Sequence, residues 1–349
     1  MDETAQTNTI DAINAAIKDA LSAIDQERER EIISRRFGLF DRKETLEQIG
    51  EMLGITRERV RQLEKAILIR LKIATEEGKI TSTADVERAI IRDLAENGRV
   101  GRVHDITQRL VGSDKTAEHK AHVAFLAELS PKLTVVNEND MYHHAVGIAE
   151  YGNEKDIKKK VDALVKIIKQ HGEPIHIDEL HAKTDYEHPT HVSGLASVSK
   201  LLATLNGYWG LTKWPTVNPK NIRDKIYVIL SENGSPMHFS AIASAIKESD
   251  FKRKNVTTQA IHNELIKDSR FVLIGRGIYA LDAWGYSKGT VSDIIRSVLT
   301  EAGEPLHRDD IVRRVLKKRQ VKETTILLNL QSKPEFKRVA KATYALAEK

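Results

Sequence analysis

The chain has 349 residues, 40% of them hydrophobic, and 55 Lys or Arg against 50 Asp or Glu give a net charge of +5. It has no cysteine, which excludes disulfides, thiolate catalysis and cysteine-ligated zinc. Its length sets a prior of two to three domains, more if they are small, and the mild basic excess suits an anionic partner without demanding one. The start, "MDETAQTNTIDAINAAIKDAL", is acidic and amide-rich where a signal peptide is basic and then apolar. No apolar run approaches the roughly 18 residues of a membrane span, so a cytoplasmic location and no membrane partner are expected.

The first informative stretch is "TLEQIGEMLGITRERVRQLEKAILIRL", Thr45 to Leu71. Leu46, Ile49 and Leu53 share one helical face, and Gly54 interrupts the pattern where a helix C-cap of positive φ favours a residue without Cβ. Thr56 is a good N-cap for a second helix, along which Val60, Leu63, Ile67 and Leu71 continue an apolar stripe. The other face holds Arg57, Glu58, Arg61, Gln62 and Lys65. A helix–turn–helix needs this division, one face anchoring the helix and the other meeting the major groove. Arg forks onto guanine, Glu accepts from cytosine and Gln pairs with adenine. The spacing alone equally permits an amphipathic helix with solvated charges.

"EREREIISRRFGL" (Glu27 to Leu39), "TLEQIG" (Thr45 to Gly50) and "GITRERVRQLEKA" (Gly54 to Ala66) together resemble region 4 of the sigma-70 family of bacterial sigma factors. The resemblance implies that the second helix reads a −35-type promoter element and that the segment docks on the flap of the RNA polymerase β subunit. Carried over by position, Arg57, Glu58, Arg61 and Gln62 match the base-facing residues. Thr45 and Arg59 match positions near phosphate, with Lys65 grouped beside them. The segment "KAILIRLK" departs from the family's basic run and could pack on something else. "KIATEEGKITSTADVE" (Lys72 to Glu87) then has the composition of a linker or weak helix end.

Four later segments share one order: helix, Gly-containing turn, apolar residue, His, helix. They are "NGRVGRVHDITQRL", "HGEPIHIDEL", "NGSPMHFSAIASAI" and "AGEPLHRDDIVRRVL". His176, His238 and His307 each lie four residues after a turn glycine, and His104 lies six after Gly98. Each copy ends in strand-like pieces with hairpin turn chemistry, as at Asn206-Gly207 and Gly275-Arg276-Gly277. Three helices followed by a hairpin are the winged-helix plan. The pattern resembles the HARE-HTH domain, found in the delta subunit of RNA polymerase, best over Ile222 to Gly285. The fold expected is mostly α: a helix–turn–helix domain at 1–80, then winged-helix modules at 84–150, 155–215, 220–286 and 288–349. Phosphate contacts from the last two modules would come from Lys252, Arg253, Lys254, Arg276, Arg313, Arg314, Lys317 and Lys318.

Thirteen histidines invite a metal reading. In the cluster His171, His176, His181, His188 and His191, the first two straddle a Gly-Glu-Pro turn and so define no helical face, and His143-His144 would point to opposite faces of a strand. The repeated histidine fits a capping or packing role. No phosphate-cradling loop, HExxH or nucleophile elbow occurs, so neither an enzyme, a cofactor nor a small-molecule substrate is expected. The reading is a promoter-recognising or polymerase-associated transcription protein. Only about 25 residues precede the region 4-like segment, and no tryptophan precedes Trp209, so promoter melting is expected to come from another protein. The rivals are a delta-like accessory subunit working by protein contact, and a nucleoid or restriction-associated DNA-binding protein without polymerase.

Overall fold

Capping chemistry sets the first elements. Helices α1 (Glu3–Ser22), α2 (Glu27–Phe37), α3 (Leu46–Leu53) and α4 (Arg57–Glu76) form the head. Helix α2 has Glu27 and Glu29 in its first turn and Arg35 and Arg36 in its last, the order a helix dipole favours. The computed structural model describes residues 3–112, 116–251, 253 and 255–347. It is mostly helical, with two units, Met1–Lys213 and Trp214–Lys349.

After the head the same order of elements occurs four times. The first copy is α5 (Thr83–Asn97), β1 (Val100–Arg102), α6 (Val103–Val111), α7 (Ala117–Leu129), β2 (Leu133–Val136) and β3 (Ala145–Ile148). The second is α8 (Glu154–His171), β4 (Ile175–His176), α9 (Ile177–Ala182), α10 (Pro189–Val198), β5 (Leu202–Leu205) and β6 (Tyr208–Leu211). The third is α11 (Ile222–Asn233), β7 (Met237–His238), α12 (Phe239–Glu248), α13 (Thr258–Lys267), β8 (Phe271–Gly275) and β9 (Ile278–Leu281). The fourth is α14 (Val291–Ala302), β10 (Leu306–His307), α15 (Arg308–Lys318), α16 (Glu323–Ser332), β11 (Phe336–Ala340) and β12 (Thr343–Leu346). In each the last strand is central, paired antiparallel to its hairpin partner and to the short strand between the first two helices.

One hydrogen bond recurs in all four copies. The first amide of the second helix donates to a carbonyl at the tip of the hairpin. The pairs are Val103 to His144 at 2.9 Å, Ile177 to Gly207 at 3.0 Å, Phe239 to Gly277 at 3.0 Å and Arg308 to Ala342 at 2.8 Å. This bond satisfies a donor that no helix can satisfy internally, and it fixes the hairpin to the helix. The repeated histidine reinforces it. His176, His238 and His307 are N-caps whose Nδ1 accepts from the amides of Asp178, Ser240 and Asp309 at 3.5, 3.3 and 3.4 Å. His104 is not their equivalent. It lies inside α6, and the N-cap position of the first copy is Arg102, which forks onto Asp105 at 2.6 and 3.1 Å.

In the first unit one apolar core runs from the head into the first module. Ile13 and Ile17 of α1, Ile33 of α2, Ile67 and Leu71 of α4, Ile90 of α5 and Phe125 of α7 all belong to it. The core crosses residues 80 to 84, where the composition reads as a linker. Ile80 is buried there, the Ser82 amide donates to Asp19 Oδ2 at 3.2 Å, and Thr83 Oγ1 donates to the Ile80 carbonyl at 2.7 Å. Phe37 meets Phe125 edge to face at 4.9 Å between centroids. Beside them His122 is buried, with Nε2 donating to the Leu39 carbonyl at 2.7 Å. Its Nδ1 has no hydrogen-bond partner among the described residues.

The second module continues this unit. The amide of His143 donates to the Val198 carbonyl at 2.8 Å, and that of Lys200 to the Met141 carbonyl at 2.9 Å. Tyr142 Oη donates to Asp162 Oδ1 at 2.7 Å, and burial together with that carboxylate pushes the phenol up to about 12. In the second unit the two modules are joined through the Gln320 amide, which donates to the Ile274 carbonyl at 3.1 Å, and the Ser287 amide, which donates to that of Lys318 at 3.2 Å.

Two stability outcomes follow. Gly234 and Gly277 both have positive φ, +64° and +72°, but a Cβ on Gly234 meets nothing, whereas one on Gly277 would lie 2.5 Å from His238 Nε2. Gly234→Ala is expected to cost about 1 kcal/mol from the backbone alone, and Gly277→Ala clearly more, in urea unfolding of the full chain. Equal costs would show that the histidine ring yields freely. The second outcome concerns acid. Burial pushes His122 below its ordinary 6.5, so the unfolded chain takes up a proton before the folded one does. Its contribution to stability is complete above pH 6.5 and is lost as pH falls from there through the depressed folded value. Half-buried His143 and His144, also lowered by desolvation, act with the same sign. Hydrogen exchange is expected to show α2 and α7 losing protection together on acidification, and less steeply in His122→Gln, which keeps a donor for Leu39. Independent loss in the two helices would refute the coupling.

Candidate nucleic-acid interface

The turn between α3 and α4 is built by two caps and a glycine. Thr45 caps α3 in a reciprocal box: its Oγ1 accepts from the Gln48 amide at 3.3 Å, and the Thr45 amide donates to Gln48 Oε1 at 2.9 Å. Gly54 ends α3 in the left-handed region at φ +66°. Thr56 Oγ1 then accepts from the Arg59 amide at 3.2 Å and opens α4. A small core of Ile32, Ile49 and Val60, with Leu46, Leu53, Ile55 and Leu63 packed on it, holds α2, α3 and α4 together. Arg28 donates to the Leu53 carbonyl at 2.7 Å, and Arg36 bonds Glu64 at 3.1 Å. The arginines of "ERERE" and "SRRF" that make these bonds are therefore structural.

Helix α4 presents Arg57, Glu58, Arg59, Arg61, Gln62 and Lys65 to solvent. The first turns form a hydrogen-bonded set. Arg61 forks onto Glu58 with Nε to Oε2 at 2.8 Å and Nη2 to Oε1 at 2.5 Å. Gln62 Nε2 also reaches Glu58 at 3.5 Å, and Arg59 Nη1 reaches Gln62 Oε1 at 3.5 Å. The Arg61 hydrogen bonds hold the Glu58 carboxyl below the ordinary carboxylate range, and Glu58 in turn raises Arg61. Both side chains are more than half exposed, so water competes for each bond and the pair opens at little cost. Lys65 and Arg57 make no ion pair among the described residues. Thr45 is exposed, but its hydroxyl is occupied by the cap.

The second half of α4 behaves differently. Ile67 and Leu71 are buried in the core shared with α7, and Leu68 and Ala74 pack against it. Arg70 bonds Glu29 of α2, and Lys72 bonds Glu128 of α7 at 2.8 Å. The apolar "KAILIRLK" run is thus a joint between the solvent-facing half of α4 and the first module.

The secondary positions divide by what they touch. Lys252 and Lys254 lie outside the described residues. Arg253 has φ +55°, and its carbonyl accepts from Lys225 Nζ at 2.8 Å. Arg276 is exposed at the tip of the third hairpin. In α15, Arg313 bonds Asp310 at 2.7 Å and Lys318 bonds both oxygens of Glu301 at 2.7 Å, while Arg314 and Lys317 are exposed. Arg319 donates to the carbonyls of Leu273, at 3.4 Å, and Gly289, fastening the two modules of its unit. Among the described residues no three His, Asp or Glu side chains come together as a metal site, and no helix is long and apolar enough to cross a membrane.

With this geometry in place, the relatives are informative. Residues 26–72 match the family model of sigma-70, region 4. The RNA polymerase sigma factor sigB of Arabidopsis thaliana is 52% identical over 46 residues, 13% of this chain and 8% of that protein. The principal sigma factor HrdC of Streptomyces coelicolor is 45% identical over 62 residues, 18% of each chain. The sigma factor RpoD of Helicobacter pylori is 40% identical over 74 residues, 19% of this chain and 11% of that protein. The chain spans less than a fifth of the length of these relatives. The N-terminal helix–turn–helix is a region 4-like element, and these relatives match 13% to 19% of the chain.

Proposed function

We propose that the chain is a non-enzymatic, DNA-binding transcription protein that recognises a −35-type promoter element and associates with RNA polymerase during initiation. The observation that supports this best is the exposed Arg57, Glu58, Arg61 and Gln62 face on a capped, rigidly seated α4, within the segment that matches sigma region 4. Arg61 and Gln62 would meet base edges, with Glu58 either ordering Arg61 or releasing it to guanine. Arg59 and Lys65, with the Thr45 end of α3, would lie along phosphate. The hairpin modules, which resemble HARE-HTH domains, would add sequence-independent grip through Arg276, Arg314 and Lys317, or dock on protein. The β flap is the proposed polymerase contact.

Selection from a random duplex library by the full chain tests the base-reading face. Gln62→Ala is expected to change which sequences are selected, with a lost base contact costing roughly 1–3 kcal/mol at one position. Lys65→Ala is expected to weaken all sequences alike and reduce the salt slope by about one. Equal loss on every duplex in both variants would remove base reading. Co-purification with core polymerase in that case would leave the accessory-subunit reading in its place.

A further inference from the structure

The first module departs from the other three where the second helix meets the hairpin. In the second and third copies a histidine ring covers the hairpin tip; a Cβ on Gly207 would lie 3.1 Å from His176 Nε2, and one on Gly277 2.5 Å from His238 Nε2. In the first copy Arg102 takes the histidine's place and turns to Asp105. The link between β2 and β3 also lengthens to residues 137–144, where the second and third copies turn in two residues. The gap this leaves faces the loop that follows α2 in the head. It is a cleft of about 540 Å³.

The walls are fixed by contacts on both sides. On the module side, Tyr142 is bonded to Asp162, the His143 amide to Val198, and Glu138 to Lys200 at 2.8 Å. On the head side, the amides of Leu39 and Glu44 donate to the carbonyls of Ser34 and Arg35, both at 2.9 Å, pinning the loop at its two ends. Four cations line the cleft: Arg42, Lys43, Arg102 and Lys120. Two carboxylates, Asp41 and Glu138, oppose them, and Glu138 is already engaged by Lys200. Arg42, Lys43 and Lys120 make no ion pair among the described residues. Phe37, Val103, Ala121 and Ala124 supply an apolar floor, and His143 and His144 close the rim.

We propose that this cleft binds a small organic phosphate of nucleotide size, its phosphates held by Arg42, Lys43 and Lys120 and its ring laid on the Phe37–Ala121–Ala124 floor. Charge-assisted bonds from Arg and Lys suit phosphate oxygens, and the volume falls in the range of small-ligand clefts. A duplex backbone would use the same cations but would bring nothing apolar to cover the floor. That difference favours a free nucleotide over DNA. The site is separate from the exposed face of α4 and does not depend on how that face is read.

Calorimetry on the full chain, with adenosine triphosphate and inorganic pyrophosphate as separate probes, tests this. The triphosphate is expected to bind, and pyrophosphate to bind more weakly because it leaves the floor bare. The double variant Lys43→Ala, Lys120→Ala is expected to weaken both probes by about tenfold or more, from the loss of two charge-assisted contacts. Ala121→Phe, which fills the floor, is expected to weaken the triphosphate and spare pyrophosphate. Melting curves matching the parent chain's would show that both variants fold. No heat with either probe, or unchanged binding in both variants, overturns the proposal. So does a double variant that loses affinity for duplex DNA while still binding the triphosphate, since the cleft would then be gripping a DNA backbone.

Discussion

The continuity of α4 is the constraint on which the first unit depends. A helix of 20 residues extends about 30 Å. Its first half presents polar side chains to solvent, and its second half is buried against α7 through Ile67 and Leu71. A helix–turn–helix of three short helices has only a small core of its own, here Ile32, Ile49 and Val60 with four partly buried neighbours. Such a core is marginal by itself, because small units bury too little apolar surface. The extension into the first module supplies the missing burial. The same joint sets the direction of the exposed face, since a helix held along its rear half cannot rotate at its front.

The four modules solve a related problem with one local device. A second helix as short as α9, Ile177–Ala182, has few internal bonds to hold its start. The bond from its first amide to the hairpin tip and the histidine N-cap replace that deficit with contacts across the module. The tip must then approach the helix closely, and for this reason the position is glycine in the second and third copies. The fourth uses Ala342 at φ +57°, a strain that the paired strands hold in place. The first keeps the bond, from Val103 to His144, but abandons the histidine cap and the two-residue turn, and its lengthened loop serves as the bridge to the second module.

Much of this was legible in the sequence, for identifiable reasons. Caps and turn glycines act locally, so Gly54 and Thr56 could be placed from spacing alone, and the three repeated histidines pointed to a capping or packing role; the capping box at Thr45 was not read. The exposed face of α4 was legible because helical periodicity separates it from Val60 and Leu63. The two-residue strands such as Met237–His238 were not, since two residues form no pattern and their pairing partners lie some 40 residues away. The shared core was also hidden. The Lys72 to Glu87 segment has the polar composition of a linker, and only the fold reveals that Ile80 is buried and Ser82 bonded to Asp19. His104 misled because its place in the order of residues matched, while its distance from the turn did not.

Charge counting needs the same correction. A cation promotes association with nucleic acid by displacing condensed counterions, and one that already faces a carboxylate displaces fewer. Read as a run, "RRVLKKRQVK" offers six cations from Arg313 to Lys322. In the fold, Arg313 faces Asp310, Lys318 faces Glu301, and Arg319 is turned inward onto backbone carbonyls. In the head, Arg35, Arg36 and Arg70 are likewise held by Glu31, Glu64 and Glu29. Along α4, α15 and the residues just after α15, the exposed cations outside any ion pair among the described residues are Arg57, Arg59 and Lys65 on α4, Arg314 and Lys317 on α15, and Lys322. On the proposed reading, discrimination falls to the hydrogen-bonding edge of α4, where Glu58, Arg61 and Gln62 already form one connected set.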